Sequence, residues 1–340
     1  MKKTIYILLI ISIVLMSSCN KNNIQTVKNE DSDKLAEQFE EKPEDEIVKE
    51  SSGLVSFGYM DVDKDVYVYD GKEVEIPYYA ENMGEEGEND AEVGLMFFVN
   101  GELQPYTIVS ENDSKTEENT MQIMKLEAKE KKEFKVKFKP ISGKKGENIG
   151  IIPAIIWNPE SIPNESNPRF GNNQHLSANI PVVIKMKKNG QNLLKKAKTE
   201  VTIEDIPKEI LEELETWHGA DDYDILDSSV NFQIESSEKN KSIIYGTDGK
   251  VSITMKLYGG KQVTDKITVF INNQPVKIDG KDYVQVKTEK GKMCTIKCEI
   301  DISQYGELNS LYAIAMTAGE DYKIQDIYKT DSLLLVNKQN

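Results

Sequence analysis

Strict alternation of apolar and polar residues, repeated in many short runs, is the feature that most limits what this chain can fold into. Val74, Ile76, Tyr78 and Ala80 fall on one face, opposite Glu73, Glu75 and Glu81. Phe134, Val136 and Phe138 alternate with Lys135, Lys137 and Lys139, and Val251, Ile253, Met255 and Leu257 alternate with Ser252, Thr254 and Lys256. A period of two places successive side chains on opposite faces of a strand, so each run reads as a half-buried strand. Runs that are apolar on both faces, 149–157 and 311–316, suit central strands. Short strands separated by turn residues point to a mainly β protein built of sandwiches.

The strands fall into two sets, at 54–188 and 226–340, with one interruption. At 204–218 Ile206, Ile210, Leu211, Leu214 and Trp217 recur at helical spacing, with Asp205 as a cap, Pro207 in the first turn and Gly219 at the exit. The expected reading is a linker over 189–225 carrying one amphipathic helix.

The two sets share an order of elements. Phe97-Phe-Val-Asn-Gly-Glu102 precedes the alternating run at 134–138, then Gly-Glu-Asn-Ile-Gly150 and the apolar run ending at Trp157. Val269-Phe-Ile-Asn-Asn-Gln274 precedes the run at 294–302, then Gly-Glu-Leu-Asn-Ser310 and the apolar run 311–316. Asn100-Gly101 and Asn272-Asn273 are good tight-turn pairs. This order implies a diverged tandem duplication, each copy expected to fold alone. Each copy resembles the immunoglobulin-like or fibronectin-III-like domains of bacterial surface proteins. The resemblance is architectural, for no Cys–Trp–Cys signature is present.

The N-terminus reads MKKTIYILLIISIVLMSSC. Lys2 and Lys3, an apolar stretch too short for a comfortable membrane span and small residues before a cysteine have the layout of a secretory signal peptide. Met16-Ser17-Ser18-Cys19 resembles the lipobox of bacterial lipoproteins, with Met16 where Leu is usual. The resemblance implies cleavage of residues 1–18, lipidation of Cys19 and a lipid-anchored location on the extracytoplasmic face of a cell membrane. Residues 19–53 read as an acidic, flexible tether.

The formal net charge is −16. Losing Lys2 and Lys3 takes it to −18, a field that repels nucleic acid. The partners expected are therefore the membrane, through Cys19, and a protein or other envelope ligand. Cys294 and Cys298 share the apolar face of one strand run. Four residues of strand span about 13 Å, beyond the roughly 7 Å reach of a disulfide, so both are expected as buried core thiols.

No nucleophile elbow, P-loop or His-Glu-x-x-His stands in the chain, and its two histidines, His175 and His218, lack metal-ligand spacing. No enzyme activity, cofactor or metal is expected. Asp61-Val-Asp63-Lys-Asp65 starts like a calcium loop but has Val66 where the loop needs Gly, and reads as a strand with outward carboxylates. The informative segments are two long connections. One runs from Asn158 to His175 after Trp157 and carries Arg169 and Phe170; the other, 319–330, carries Tyr322 and Tyr328. Aromatic residues and Arg favour recognition, which makes Trp157, Arg169, Phe170, His175, Tyr322 and Tyr328 the candidate binding residues. The leading function is a non-enzymatic surface binding or scaffold module. The alternatives are a substrate-capturing component of an envelope transporter, and an enzyme with a site near Trp217, His218, Asp221 and Asp222.

Overall fold

The computed structural model describes residues 54–61, 63–85, 90–110, 112–161, 174–212, 230–237, 242–259, 262–319 and 326–338. In chain order the first half holds β1 (Val55–Tyr59), β2 (Val66–Tyr69), β3 (Val74–Asn82), β4 (Ala91–Val99), β5 (Glu102–Leu103) and β6 (Thr107–Ser110). It continues with β7 (Met121–Leu126), β8 (Lys131–Phe138), β9 (Asn148–Trp157), β10 (Leu176–Ala178) and β11 (Val182–Met186). The second half holds β12 (Glu200–Asp205), β13 (Val230–Ile234), β14 (Ile243–Thr247), β15 (Lys250–Gly259), β16 (Thr264–Ile271) and β17 (Gln274–Val276). It ends with β18 (Val284–Lys287), β19 (Lys292–Asp301), β20 (Leu308–Thr317), β21 (Ile327–Lys329) and β22 (Leu333–Lys338).

The first half is a sandwich of a β1-β3-β8-β6 sheet on a β2-β11-β9-β4-β5 sheet, with β7 added to β4 and β10 to β9. The inward residues of the alternating strands meet between the sheets. Tyr78 of β3 packs edge-on against Phe97 of β4 at 5.5 Å, and Phe97 against Tyr106 at 4.9 Å. Fully desolvated aromatics of this kind dominate the stability of such a core.

The second half repeats the plan. β13, β15 and β19 form one face, and β14, β22, β20, β16, β17 and β18 the other, the two joined where Thr247 pairs with Lys250 in the β14–β15 hairpin. Met255 and Ile296 from the first face share a core with Val269 and Ala313 from the second. Strand register makes the equivalence residue by residue. Val99 pairs with Ile151 and Phe97 with Pro153; Ile271 pairs with Leu311 and Val269 with Ala313. Val136 lies opposite Ile76 as Cys298 lies opposite Ile253. The β4–β5 and β16–β17 turns both have two residues of positive φ: Asn100 and Gly101 at 53° and 77°, Asn272 and Asn273 at 48° and 63°. That is the geometry of a two-residue hairpin turn matched to strand twist. The chain is thus a tandem pair of immunoglobulin-like sandwiches, as the alternation implied.

Two sequence expectations need correction. Within the stretch expected to be a linker, 200–205 is a strand: β12 pairs antiparallel with β19, from Glu200 opposite Lys297 to Asp205 opposite Lys292. The helix expected over 204–218 begins at 208, because Pro207 has no N–H for a ladder and ends the strand pattern there, and it is described as far as 212. With Ile206, its Ile210 and Leu211 dock on Tyr258 and Met293 of the second sandwich; Leu214 and Trp217 lie outside the described residues. Asp61, Asp63 and Asp65 belong to the connection between β1 and β2 rather than to a strand.

The two sandwiches also pack against one another. Residues Lys49–Asn340 form one compact unit. The outer face of β9 and β4 carries Met96, Phe98, Ile152, Ala154 and Ile156, which join Phe270, Tyr312, Ile314 and Met316 in one buried cluster. Phe98 is the register equivalent of Phe270, Ile152 of Tyr312, Ala154 of Ile314 and Ile156 of Met316. The same positions of both copies therefore meet, as in the isologous contact of a two-fold dimer. This explains why the runs at 149–157 and 311–316 are apolar on both faces: one face fills its own core, the other fills the junction.

Candidate functional site

The described ends of the two long connections also lie at the junction. Trp157 ends β9 and is held by a bond from its N–H to the His175 carbonyl, 3.1 Å. The two rings stack at 5.3 Å with 23° between planes. Gln174 precedes His175 and is fully buried. Its amide nitrogen donates to the carbonyls of Asn158 and Ser161, at 3.1 and 3.2 Å, pinning the start of the first connection. Its carbonyl accepts from Ser332 Oγ at 2.8 Å and Ser310 Oγ at 3.3 Å, both in the second sandwich. A buried amide with partners on both ends resists displacement, because any lost bond leaves a desolvated polar atom. Asn273 donates to the Pro159 carbonyl and accepts from Tyr312 Oη at 2.9 Å, tying the β16–β17 turn to the same connection.

Against Gln174 and His175 lies β21. Lys329 sends its ammonium over the Tyr312 ring, 4.7 Å from its centre, and donates to the Thr330 carbonyl and Ser332 Oγ, each at 2.9 Å. Tyr312 in turn stacks on Phe270 at 5.0 Å. Burial pushes Lys329 down to about 7, with Asp331 opposing the shift. Lost hydration of its stacked side and then the Lys329 charge lower His175. Burial and then Asp326 raise the Tyr328 hydroxyl.

Between these groups is a cleft of about 520 Å³ lined by Gln174, His175, Leu176, Ile327, Lys329 and Thr330, with Asp331 at its margin. The arrangement offers a cation that titrates near neutrality, an imidazole, a carboxylate and an apolar floor. That set can hold a polar group by hydrogen bonds and charge.

Of the candidate residues, His175 lines this cleft and Trp157 stacks on its ring, whereas Tyr328 packs against the core of the second sandwich. Arg169, Phe170 and Tyr322 lie outside the described residues, as do Cys19, His218, Asp221 and Asp222. Gln174 and Lys329 were not singled out from sequence. Their signal was faint: each sits at the end of a flagged connection, beside the strand that follows it. Cys294 and Cys298 are free and buried, facing the second core.

No protein-family model and no curated protein matches this chain. Among solved structures it is similar to the collagen adhesin of S. aureus, at 8% identity over 85% of this chain and 94% of that one, TM-score 0.19. It is also similar to the C-terminal domain of the Streptococcus agalactiae polypeptide BspA, at 11% identity over 83% of this chain and all (100%) of that one, TM-score 0.21. A third similarity is to the Salmonella enterica SafA pilin in complex with the SafB chaperone, at 9% identity over 83% and 96% of the two chains, TM-score 0.22. Superpositions this loose carry no functional inference, and the fold assignment rests on the strand pairing above.

Proposed function

We propose that this protein is a non-enzymatic binding module displayed on the extracytoplasmic face of a membrane, anchored through lipidated Cys19. In this reading the junction cleft contacts its ligand. The observation that carries the proposal is that Gln174, at the end of the first long connection, bonds Ser310 and Ser332 of the second sandwich beside a cleft shared with Ile327, Lys329 and Thr330. Connections held by a rigid scaffold are where recognition residues accumulate. Gln174, Asn273 and the apolar junction tie the two sandwiches together beside this cleft. The run Met16–Cys19 supports the anchor, because acylation at one cysteine with more than one chain holds a protein stably.

Two experiments test it. The first is membrane fractionation with a labelled fatty acid; Cys19→Ser should abolish labelling, and normal labelling of that variant would reject the anchor. The second compares the soluble 20–340 fragment with its Lys329→Met and His175→Ala variants in capture from envelope extract. A specific partner held by the first and lost by both variants supports the cleft. Undiminished capture by both places binding elsewhere.

A further inference from the structure

We propose that one end of the first sandwich binds a linear polyol-phosphate polymer of the cell envelope, through lysines that this chain leaves without carboxylate partners. Segments 70–73, 139–148 and 185–192 form that end. They hold seven lysines against three carboxylates, on a chain whose formal net charge is −16. Among the described residues none of the seven takes part in an ion pair, whereas Lys131, Lys132 and Lys137 of the same sandwich pair with Glu133, Glu130 and Glu75. Two of the carboxylates are committed to the backbone. Asp70 accepts from the Lys72 N–H at 3.1 Å, and Glu147 from the Lys144 N–H at 2.7 Å.

The segments are fastened to one another. Gly146 N–H bonds the Met186 carbonyl, Gly190 N–H that of Gly143 and Gln191 N–H that of Pro140, at 2.7, 2.9 and 2.9 Å. Lys145 N–H bonds Asn189 Oδ1 at 2.8 Å, and Lys187 N–H the Tyr69 carbonyl at 2.8 Å. A Cβ added at Gly71 would lie 3.6 Å from Lys188 Cγ, which puts Lys188 beside Lys72. One hydrogen-bonded framework thus exposes Lys72, Lys144, Lys145, Lys187 and Lys188. The fold alone does not require this. In the second sandwich the equivalent segments 247–250, 301–308 and 336–338 hold two lysines against three carboxylates. Of those two, Lys250 pairs with Glu299 at 2.7 Å and Lys338 lies over the Tyr245 ring. By register Lys139 corresponds to Asp301 and Lys185 to Val336.

Charge and side-chain type indicate the occupant. Unpaired ammonium groups attract phosphates, and screening confines that attraction to about 8 Å at physiological salt. A thin chain lying on this end stays within that range of the lysines and away from most of the acidic surface. A broad anionic surface would meet both. The chain also enters this sandwich at the opposite end: Val55 lies opposite Asn82, at the far end of β3 from Val74 and its partner Phe138. The lysine end is therefore not the one that leads back to Cys19. None of the three segments contains an aromatic residue on which bases could stack. They carry instead the exposed amides of Asn148, Asn189, Gln191 and Asn192, which suit the hydroxyls of a polyol. This site is separate from the junction cleft. Meeting such a polymer rests on the extracytoplasmic reading, but binding it does not.

The probe is a poly(glycerol phosphate) chain end-labelled with fluorescein, titrated with the soluble 20–340 protein. Saturable anisotropy is expected, with a Kd that weakens about tenfold between about 50 and 200 mM salt as counterions are released. The combined variant Lys144→Gln, Lys145→Gln, Lys187→Gln and Lys188→Gln should weaken binding at least roughly tenfold with an unchanged melting temperature. The control Lys131→Gln with Lys132→Gln, which removes paired lysines, should leave the Kd within about twofold. Absence of saturable binding overturns the proposal. Equal weakening in both variants does so too, since the attraction would then belong to the surface at large. Tighter binding to an oligothymidylate of equal charge, or to phosphatidylglycerol vesicles, would make the partner a nucleic acid or a membrane; either result overturns it. Fatty-acid labelling at Cys19 and this titration can fail independently.

Discussion

Lys266 in β16 and Glu102 in β5 form an ion pair of 2.5 Å across the junction, and their side chains are only 9% and 7% exposed. The Lys266 ammonium lies 5.2 Å from the centre of the Tyr283 ring, whose hydroxyl is pushed up to about 12 by burial and then by Glu102. The pair breaks the symmetry of the junction. By register Gly94 stands where Lys266 would have its counterpart and Gln274 where Glu102 would.

The first prediction follows from this pair. Glu102→Leu leaves a buried ammonium unpaired and should cost about 3–5 kcal/mol. Adding Lys266→Met should restore most of that loss, since an apolar pair of similar volume removes the desolvation cost. Urea unfolding of the two singles and the double provides the cycle. An additive double mutant would show that the two side chains do not act as a pair.

The apolar junction predicts how the halves behave apart. Separate expression of 54–192 and 195–340 would expose Phe98 and Ile152 on one piece and Phe270 and Tyr312 on the other. Both fragments should bind a hydrophobic dye, and the two should co-purify when expressed together. Two inert, dye-negative fragments that ignore one another would show that the junction contributes little.

β12 supplies a further test. A second-sandwich fragment starting at 226 lacks the strand that covers 292–297, whereas one starting at 195 retains it. The shorter fragment should melt several degrees lower, because it loses a ladder and the Val201 contact with the core. Equal melting temperatures would mean that β12 is a passive cover.

Burial raises the thiols of Cys294 and Cys298, to about 11 and about 12. At pH 8 both should remain protonated and react slowly with a thiol reagent in the native protein. The unfolded chain ionises near the ordinary thiol value of 9.0, so the associated stability is complete below about pH 9 and is lost as pH rises toward 11–12. Replacing both by Ala should flatten that alkaline loss. Rapid native labelling would contradict their core placement.

Lys329 has the opposite sign. Its folded pKa is lowered from 10.5 to about 7, so the unfolded chain binds the extra proton between those values. Its burial penalty is absent above about pH 10.5 and grows as pH falls toward 7. Relative to Lys329→Met, the native protein should therefore gain thermal stability between pH 7 and 10. The difference in Tm at pH 6.5 and 9.5 is the readout, and an unchanged difference would show that Lys329 stays hydrated and charged.

Much of this architecture is legible in sequence because a strand's period is local. Ile76, Tyr78, Val136 and Phe138 declare their face by alternation, and Asn100-Gly101 and Asn272-Asn273 declare their turns by positive-φ chemistry. The duplication is visible because those signals recur in one order. The candidate site was legible only in part. Length and composition marked the two connections and drew notice to Trp157, His175 and Tyr328. Gln174 and Lys329 have no local pattern of their own, since what defines them is a partner more than 130 residues away or a ring on the next strand. The expected linker shows the limit most plainly. Ile206, Ile210 and Leu211 have helical spacing, yet Val201 and Ile203 alternate just before them, and only the free edge of β19 decides that 200–205 extends as a strand. Likewise, residues apolar on both faces of β9 and β20 announce burial on two sides but cannot name the second neighbour. Tertiary packing decided that each copy covers the other, because a face that stays apolar through two diverged copies is most cheaply removed from water by its own equivalent.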